Sequence, residues 1–419
     1  MTGPAAPGAT APVRFNPFGA AFRRDPYPQY AQLRATRPVH RTLGMWVVTR
    51  HADVRGVLHD RSFSAGLIPS QVAEQATRLA QGREFDVSRI VRLGRTSLVF
   101  TDNPEHARLR GLVNRAFTAP AVARLRPVVA EVATRLIEPA WAAGDFDLIE
   151  DFAGPLPIAV LCAWLDLPAE LHDLVGPWTH DIRFLLEPGL MKAADMARVR
   201  EVVEEFGDAL RPVLAARRAR PGDDLISGLL AARTAGGDSL SEEEVIFLCI
   251  MCFVAGTETT KSLIGNTVLA LIRHPAQEAL LRSRPDLLRA AVIETLRYDC
   301  PLQLTKRLAT REVAVGGQSV AAGDQVLVCL GAANRDPEIF DRPDEFDLTR
   351  DGGAHLAFGH GIHGCLGGIL AELQAEIALE RLYRDSAELM PRSDEFEWQD
   401  HSFILRGLRT LPAAIRRAR

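Results

Sequence analysis

The stretch HLAFGHGIHGCLGGILAELQ, His355 to Gln374, restricts the fold more than any other part of the chain. Glycines at 359, 361, 364, 367 and 368 surround Cys365, and a helical apolar pattern starts directly after it. Glycine lets a backbone turn tightly and lets a large flat partner come close. Cys365 therefore stands where a turn ends and a helix begins. Unpaired N–H groups and partial positive charge at such an end favour thiolate over thiol. The cysteine can be read as a zinc ligand, a nucleophile, a packed core residue or the axial ligand of a haem, whose iron a thiolate supplies with electron density. Zinc would draw on His355, His360 and His363, but the spacing departs from the common zinc patterns and no second cysteine pair lies nearby. A nucleophile needs an oriented base, which nothing here singles out. Core packing is the usual fate of a lone cysteine, yet it leaves the glycines without a purpose.

The rest of the chain narrows the choice. With 47% hydrophobic and 24% charged residues it has the balance of a globular protein. A net charge of −4 argues against a nucleic-acid partner, which needs a basic footprint. Cys162, Cys249, Cys252, Cys300, Cys329 and Cys365 are irregularly spaced, several within apolar runs, which reads as reduced thiols in the cytoplasm. The opening MTGPAAPGATAPVRF has the pattern of neither a signal peptide nor an anchor, so residues 1–14 are expected to be a disordered tail. Residues 15–419 are then expected to form a single domain. The longest apolar run, Val245 to Gly256, is too short for a bilayer, so no membrane association is expected.

Periodicity predicts a helix at Asp25–Thr36, two strands around Gly44 and a helix over HADVRGVLHD. From His106 to about Tyr298 the pattern is helical almost throughout, with breaks at Pro139–Gly144, Pro168, Pro188–Gly189, Pro221–Gly222 and Gly236–Gly237. Alternation around Gly316–Gly317 predicts a hairpin and one more strand, and HSFILRGLRTLPAAI reads as a last hairpin. The expected fold is mainly α with a small β region in which early and late strands share a sheet.

One helix tests the haem reading independently. Ser241 and Glu244 form a capping-box pattern, and the periodicity then runs to His274–Pro275, about 34 residues or ~50 Å. Its middle reads Ala255-Gly256-Thr257-Glu258-Thr259-Thr260. Ala255, Gly256 and Thr259 share a face, and a Thr hydroxyl can bond back to the carbonyl four residues earlier. That face makes a groove with a hydroxyl in it, and Glu258 is an acid beside the hydroxyl, placed to relay protons.

Together these segments resemble the cytochrome P450 family. FGHGIHGCLG carries its haem-ligand signature at Phe358, Gly359, Gly361, His363, Cys365 and Gly367, and AGTETT its oxygen-activating signature. The resemblance runs from about Asn16 to Leu411. It implies a P450-like fold with the long helix crossing the haem, here haem b, and Cys365 as the iron ligand. Phe358 would pack near the thiolate, with Gly359, Gly367, Ala255 and Gly256 also at the cofactor. His106, Arg110, Arg307 and His363 match propionate-binding positions, and anionic propionates need such donors. Glu258 and Thr259 would be the catalytic acid–alcohol pair.

Glu294 and Arg297 match the family's Glu-x-x-Arg element. The usual third member, an arginine, is replaced by Glu345 in PDEF, leaving Arg335, Arg342 or Arg350 as substitutes. The resemblance further implies a monomeric monooxygenase that inserts one atom of O2 into a medium-sized, largely apolar small-molecule substrate, by hydroxylation or epoxidation in natural-product biosynthesis. Electrons would come from NAD(P)H through a ferredoxin and a ferredoxin reductase. Arg108, Arg110 and Arg115 would help dock the ferredoxin or else balance local acids. Leu302, Leu304, Phe403 and Ile404 are the expected substrate contacts. The alternatives are a peroxide-driven peroxygenase and a non-catalytic haem sensor.

Overall fold

The computed structural model describes residues 15–80, 86–351 and 353–418. The tail expected at residues 1–14 lies outside them. The N-terminal part follows its periodicity: a helix at Tyr27–Thr36, strands β1 (Val39–Thr42) and β2 (Met45–Val48), a helix at His51–His59, and the short strand β3 (Phe63–Ser64). Far down the chain, β5 (Leu304–Ala309) and β8 (Gln325–Cys329) complete this sheet, which has the order β1-β2-β8-β5-β3. β2 and β8 run parallel, Trp46 opposite Val326, and the other pairs are antiparallel. Early and late strands thus share one sheet. Between β5 and β8, β6 (Val313–Val315) and β7 (Gln318–Val320) form the hairpin expected around Gly316–Gly317.

The break expected at Pro139–Gly144 falls at its far end: the helix runs from Arg126 to Ala143, past Pro139. A proline costs a helix one N–H and some local geometry, but tertiary packing of Ile137 and Ala140 overrides this. The helix stops one residue later, where Gly144 takes φ 78°. Directly after it, β4 (Asp145–Asp147) interrupts the stretch read as continuous helix. Three residues are too few to show alternation. β4 exists because it pairs with β10 (Pro412–Arg417), which also pairs with β9 (Ser386–Pro391). The C-terminal segment expected to form a hairpin instead makes two isolated bridges, Leu405 with Leu302 and Leu408 with Trp398, and ends in β10.

The helix Glu242–Arg273 is the axis of the fold. Ser241 N–H donates to Glu244 Oε2 at 2.7 Å and Glu244 N–H to Ser241 Oγ at 3.3 Å, closing the capping box. This helix is long and apolar enough to cross a bilayer, but 67% of its most apolar stretch is buried inside the fold. It packs against the helices Pro155–Trp164, Leu288–Tyr298 and Gly368–Leu379. The last of these is the helix that follows Cys365.

Candidate active site

Cys365 sits three residues before the helix Gly368–Leu379. Its backbone N–H donates to Phe358 O at 2.8 Å, which folds the loop back on itself. Gly361 adopts φ 74°, and a Cβ there would come within 2.7 Å of Leu58 O, so this glycine lets the loop press onto the helix His51–His59. Gly368 lies against the Phe358 ring, where a Cβ would stand at 3.3 Å, whereas a Cβ on Gly367 would meet open space. The glycines thus serve two ends: some pack the loop on protein, and Gly367 leaves room.

The sulfur is surrounded by protein yet keeps accessible surface, so it faces an internal space. Burial pushes the thiol up. The N–H groups of Gly367 and Gly368 and the charge of Arg110 pull the other way but do not win. This corrects the expectation that the helix terminus alone favours thiolate; a metal ion at the sulfur would be needed to deprotonate it outright. The central helix has one matching spot: Ala255 is exposed while Phe253, Val254 and Thr257 around it are buried.

Beside this space lies a set of donors short of acceptors. The His106 and His363 rings stand 4.3 Å apart, and the Nε2 of each is buried without a hydrogen-bond partner. Burial, then the nearby His363 and Arg110, lowers His106 to about 4, so its ring is neutral at physiological pH. Arg110 donates to Gly364 O at 2.8 Å. Arg307 is buried and donates only to Thr305 Oγ1 and Lys306 O, with no carboxylate partner among the described residues. Burial lowers it to about 10, so it remains a cation. A buried guanidinium without an anion is costly unless an anionic ligand completes it.

His106, Arg110, Arg307 and His363 therefore fit two carboxylates, and with Cys365 and the open face of Gly367 they fit a haem. Asp102, which the sequence reading missed, anchors this corner. It lies 3.6 Å from His363 Nε2, accepts from Ala65 N–H at 3.1 Å and accepts from Ser64 Oγ. Burial acts to raise its carboxyl, but the hydrogen bonds outweigh it and hold it at about 2. Replacing Arg307 with Gln is expected to speed haem loss on the order of ten- to a hundredfold, as a lost charge-assisted pair should; haem transfer to apomyoglobin measures it, and an unchanged rate would contradict this role.

The three loop histidines do not converge on Cys365. His355 meets Phe358, His360 meets His59 and Arg55, and His363 meets His106. Thr259 Oγ1 donates to Ala255 O at 2.7 Å, the back-bond expected from the spacing. Gly256 behaves otherwise: a Cβ there would meet Leu161 at 3.5 Å, so Gly256 faces the helix Pro155–Trp164 rather than opening the groove. Glu258 is engaged by Lys261, not by the Thr259 hydroxyl. Lys261 Nζ donates to its Oε1 at 2.9 Å and lies 2.8 Å from Oε2, while His401 Nε2 lies 3.7 Å from Oε2.

Glu294 and Arg297 are a buried pair, not a surface one. Arg297 Nε and Nη2 donate to Glu294 at 2.8 and 2.7 Å, and its remaining N–H groups reach Asn334 O, Pro343 O and Glu345 O at 3.2, 2.7 and 2.8 Å. Glu345 therefore takes part through its carbonyl, while its carboxylate pairs with Arg342 at 2.7 Å. Arg350 Nε donates to Glu294 Oε1 at 3.2 Å and is the substitute. Arg335 is held elsewhere, between the Tyr27 and Tyr298 rings.

Of the expected substrate contacts, Leu304, Phe403 and Ile404 meet in one apolar cluster, and Leu302 packs toward another. Leu304 is fully buried in the cluster of Tyr30, Leu33 and Leu327, and Ile404 packs against the same cluster. Phe403 lies on Phe18 at 4.9 Å and under Lys306. Leu302 packs toward the other cluster, around Leu330 and Leu356. Strand periodicity and position alone cannot separate a core face from a ligand face. Arg108 bonds to Glu105, Asp238 and Glu244, so it balances local acids, and Arg110 points inward; Arg115 is exposed.

The cytochrome P450 family model matches residues 171–402, more than half the chain. The chain belongs to the cytochrome P450 family. Cytochrome P450 107B1 of Saccharopolyspora erythraea is 38% identical over 405 residues, covering 94% of this chain and 96% of that one. The 6-deoxyerythronolide B hydroxylase of the same organism is 36% identical over 404 residues, covering 94% and 97%. The crystal structure of CalO2 superposes with a TM-score of 0.87 at 38% identity, covering 96% and 98%. The fold is that of the P450s. As a P450 monooxygenase this enzyme works through a haem–thiolate centre, uses O2 and depends on redox partners.

Proposed function

We propose that this P450 is a monomeric, cytoplasmic enzyme of a single domain over residues 15–419 that binds haem b. In this reading it hydroxylates or epoxidises a medium-sized, largely apolar natural product. NAD(P)H supplies the electrons through a ferredoxin and its reductase. The observation that carries the reading is the Cys365 thiol, turned into an internal space, met by the N–H groups of Gly367 and Gly368 and flanked by Arg110. The hydroxylase relative supports the substrate class, since its name describes oxygenation of 6-deoxyerythronolide B. When bound, the haem supplies the reduction of dioxygen and the transfer of one oxygen atom.

The chain's own residues hold, shield and protonate. Cys365 takes the iron, and the Phe358 ring closes over the loop behind it. His106, Arg110, Arg307 and His363 hold the carboxylates. The central helix, buried along most of its length, keeps bulk water from the reacting face. Thr259 presents a hydroxyl already oriented by its bond to Ala255 O. Glu258 delivers protons toward it by turning from Lys261. The retained acid–alcohol pair favours O2 over peroxide as the oxidant.

A substrate screen by the spin-state shift of the ferric protein tests the class; failure of every apolar natural product to shift it would overturn that class. Thr259→Ala is expected to divert reducing equivalents to hydrogen peroxide, on the order of tenfold in the peroxide-to-product ratio. Unchanged coupling would remove Thr259 from the relay.

A further inference from the structure

Glu258 carries no proton to relay in this geometry. Burial acts to raise its carboxyl, but His401 and Lys261 outweigh burial and hold it at about 2, so at neutral pH it is a carboxylate. A relay through it needs a donor within reach. Lys261 faces it from its own helix, His180, Asp181 and Arg183 from the end of the helix Ala169–Ile182, and His401 from the loop before β10. Lysine and arginine hold their protons too tightly for the task. Burial and Arg183 keep His180 below the ordinary imidazole range. Asp181 is an acceptor paired with Arg198.

His401 remains, and its placement suits the task. Its Nε2 is buried without a hydrogen-bond partner and stands 3.7 Å from Glu258 Oε2, while 27% of its side chain is open to solvent. The loop that carries it is pinned from both sides. Glu187 accepts from Phe403 N–H at 3.1 Å, Ser402 Oγ accepts from Ile404 and Leu405 N–H at 3.2 and 3.0 Å, and Gln399 Nε2 donates to Leu405 O at 2.6 Å. So many bonds on one short loop fix the backbone on either side of His401.

We propose that His401 is the positioning residue that supplies Glu258 with protons from solvent. The inference rests on the reading of Glu258 and Thr259 as the relay. The His401 imidazolium gives its Nε2 proton to Glu258 Oε2, and the N–H bond pair stays on Nε2. The neutral ring, left with its proton on Nδ1, turns about its Cβ–Cγ bond to bring Nε2 to the exposed edge, where the Nε2 lone pair takes a proton from water. Glu258, now a carboxylic acid, releases Lys261 and passes the proton toward Thr259.

The test uses the haem-loaded enzyme and its His401→Gln, His401→Ala and Glu258→Gln variants. A plant-type ferredoxin, its reductase and NADPH drive oxygen reduction without substrate, in H2O and D2O, over about pH 6 to 8.5. The wild type is expected to slow with rising pH through one inflection. Both His401 variants should be slower on the order of tenfold at neutral pH, lose the inflection and show a larger solvent isotope effect. A His401 variant that keeps the wild-type rate and inflection while Glu258→Gln is slowed overturns the role of His401 alone. If Glu258→Gln also behaves as wild type, the relay itself falls. The carbon monoxide difference band of each variant reports separately that the thiolate centre is intact.

Discussion

Cys365→His should give a protein that folds and takes up porphyrin but has lost the thiolate-specific carbon monoxide difference band, and with it at least about a thousandfold of its oxygenation rate. The loop is held by backbone: Cys365 N–H to Phe358 O, Gly359 N–H to Leu356 O and Gly364 N–H to Gly361 O, at 2.8, 2.8 and 3.1 Å. None of these bonds uses the sulfur, and the side chain faces open space beside Gly367, so an imidazole has room. What changes is the donor. A neutral nitrogen in place of an anionic sulfur withdraws the electron push at the iron. Reduction under carbon monoxide checks the outcome; survival of the thiolate band in this variant would refute the ligand assignment.

Arg297→Ala should cost about 3–5 kcal/mol, the usual penalty for removing one partner of a buried ion pair. That is a large share of the roughly 5–15 kcal/mol that holds an ordinary domain together. The lesion has two parts. Glu294 is left buried with only Arg350 and the Asp347 N–H as donors, the carbonyls of Asn334 and Pro343 lose theirs, and Glu345 O keeps only Arg350. Lys at this position restores the charge but offers three donors on one atom where five diverge from a plane, so Arg297→Lys should recover little. Arg350→Ala should cost less, on the order of 1–2 kcal/mol, because Glu294 keeps its bidentate partner. Urea denaturation of the three variants orders them; equal stability of Arg297→Ala and wild type would contradict the network.

What the sequence revealed was mostly local. The capping box at Ser241, the hairpin at Gly316–Gly317 and the turn into the helix after Cys365 depend on neighbours a few residues away, so spacing displays them. β4 and the fate of the C-terminal segment depend on partners more than 200 residues distant, which no window reports. The site divides in the same way. Cys365 and Thr259 are marked by the glycines and the helix face around them. Asp102, Arg350 and His401 act across the fold, and only Asp102 had a local sign, four residues before His106. Lys261 was readable too, three residues after Glu258 on one helix. Leu304 shows the converse: a correct strand does not tell which of its residues belong to the core.

The five-stranded sheet carries a consequence for how the molecule is made. β2 finds its parallel partner β8 only after about 280 further residues have been synthesised, and β3 its partner β5 only after about 240. At roughly 5–20 residues per second, the β1–β2 hairpin and β3 leave the ribosome on the order of ten to sixty seconds before their late partners exist. During that wait the edge of Met45–Val48 that does not face β1 is uncovered, so production in cells should be limited by chaperone capacity and favoured by slow growth in the cold.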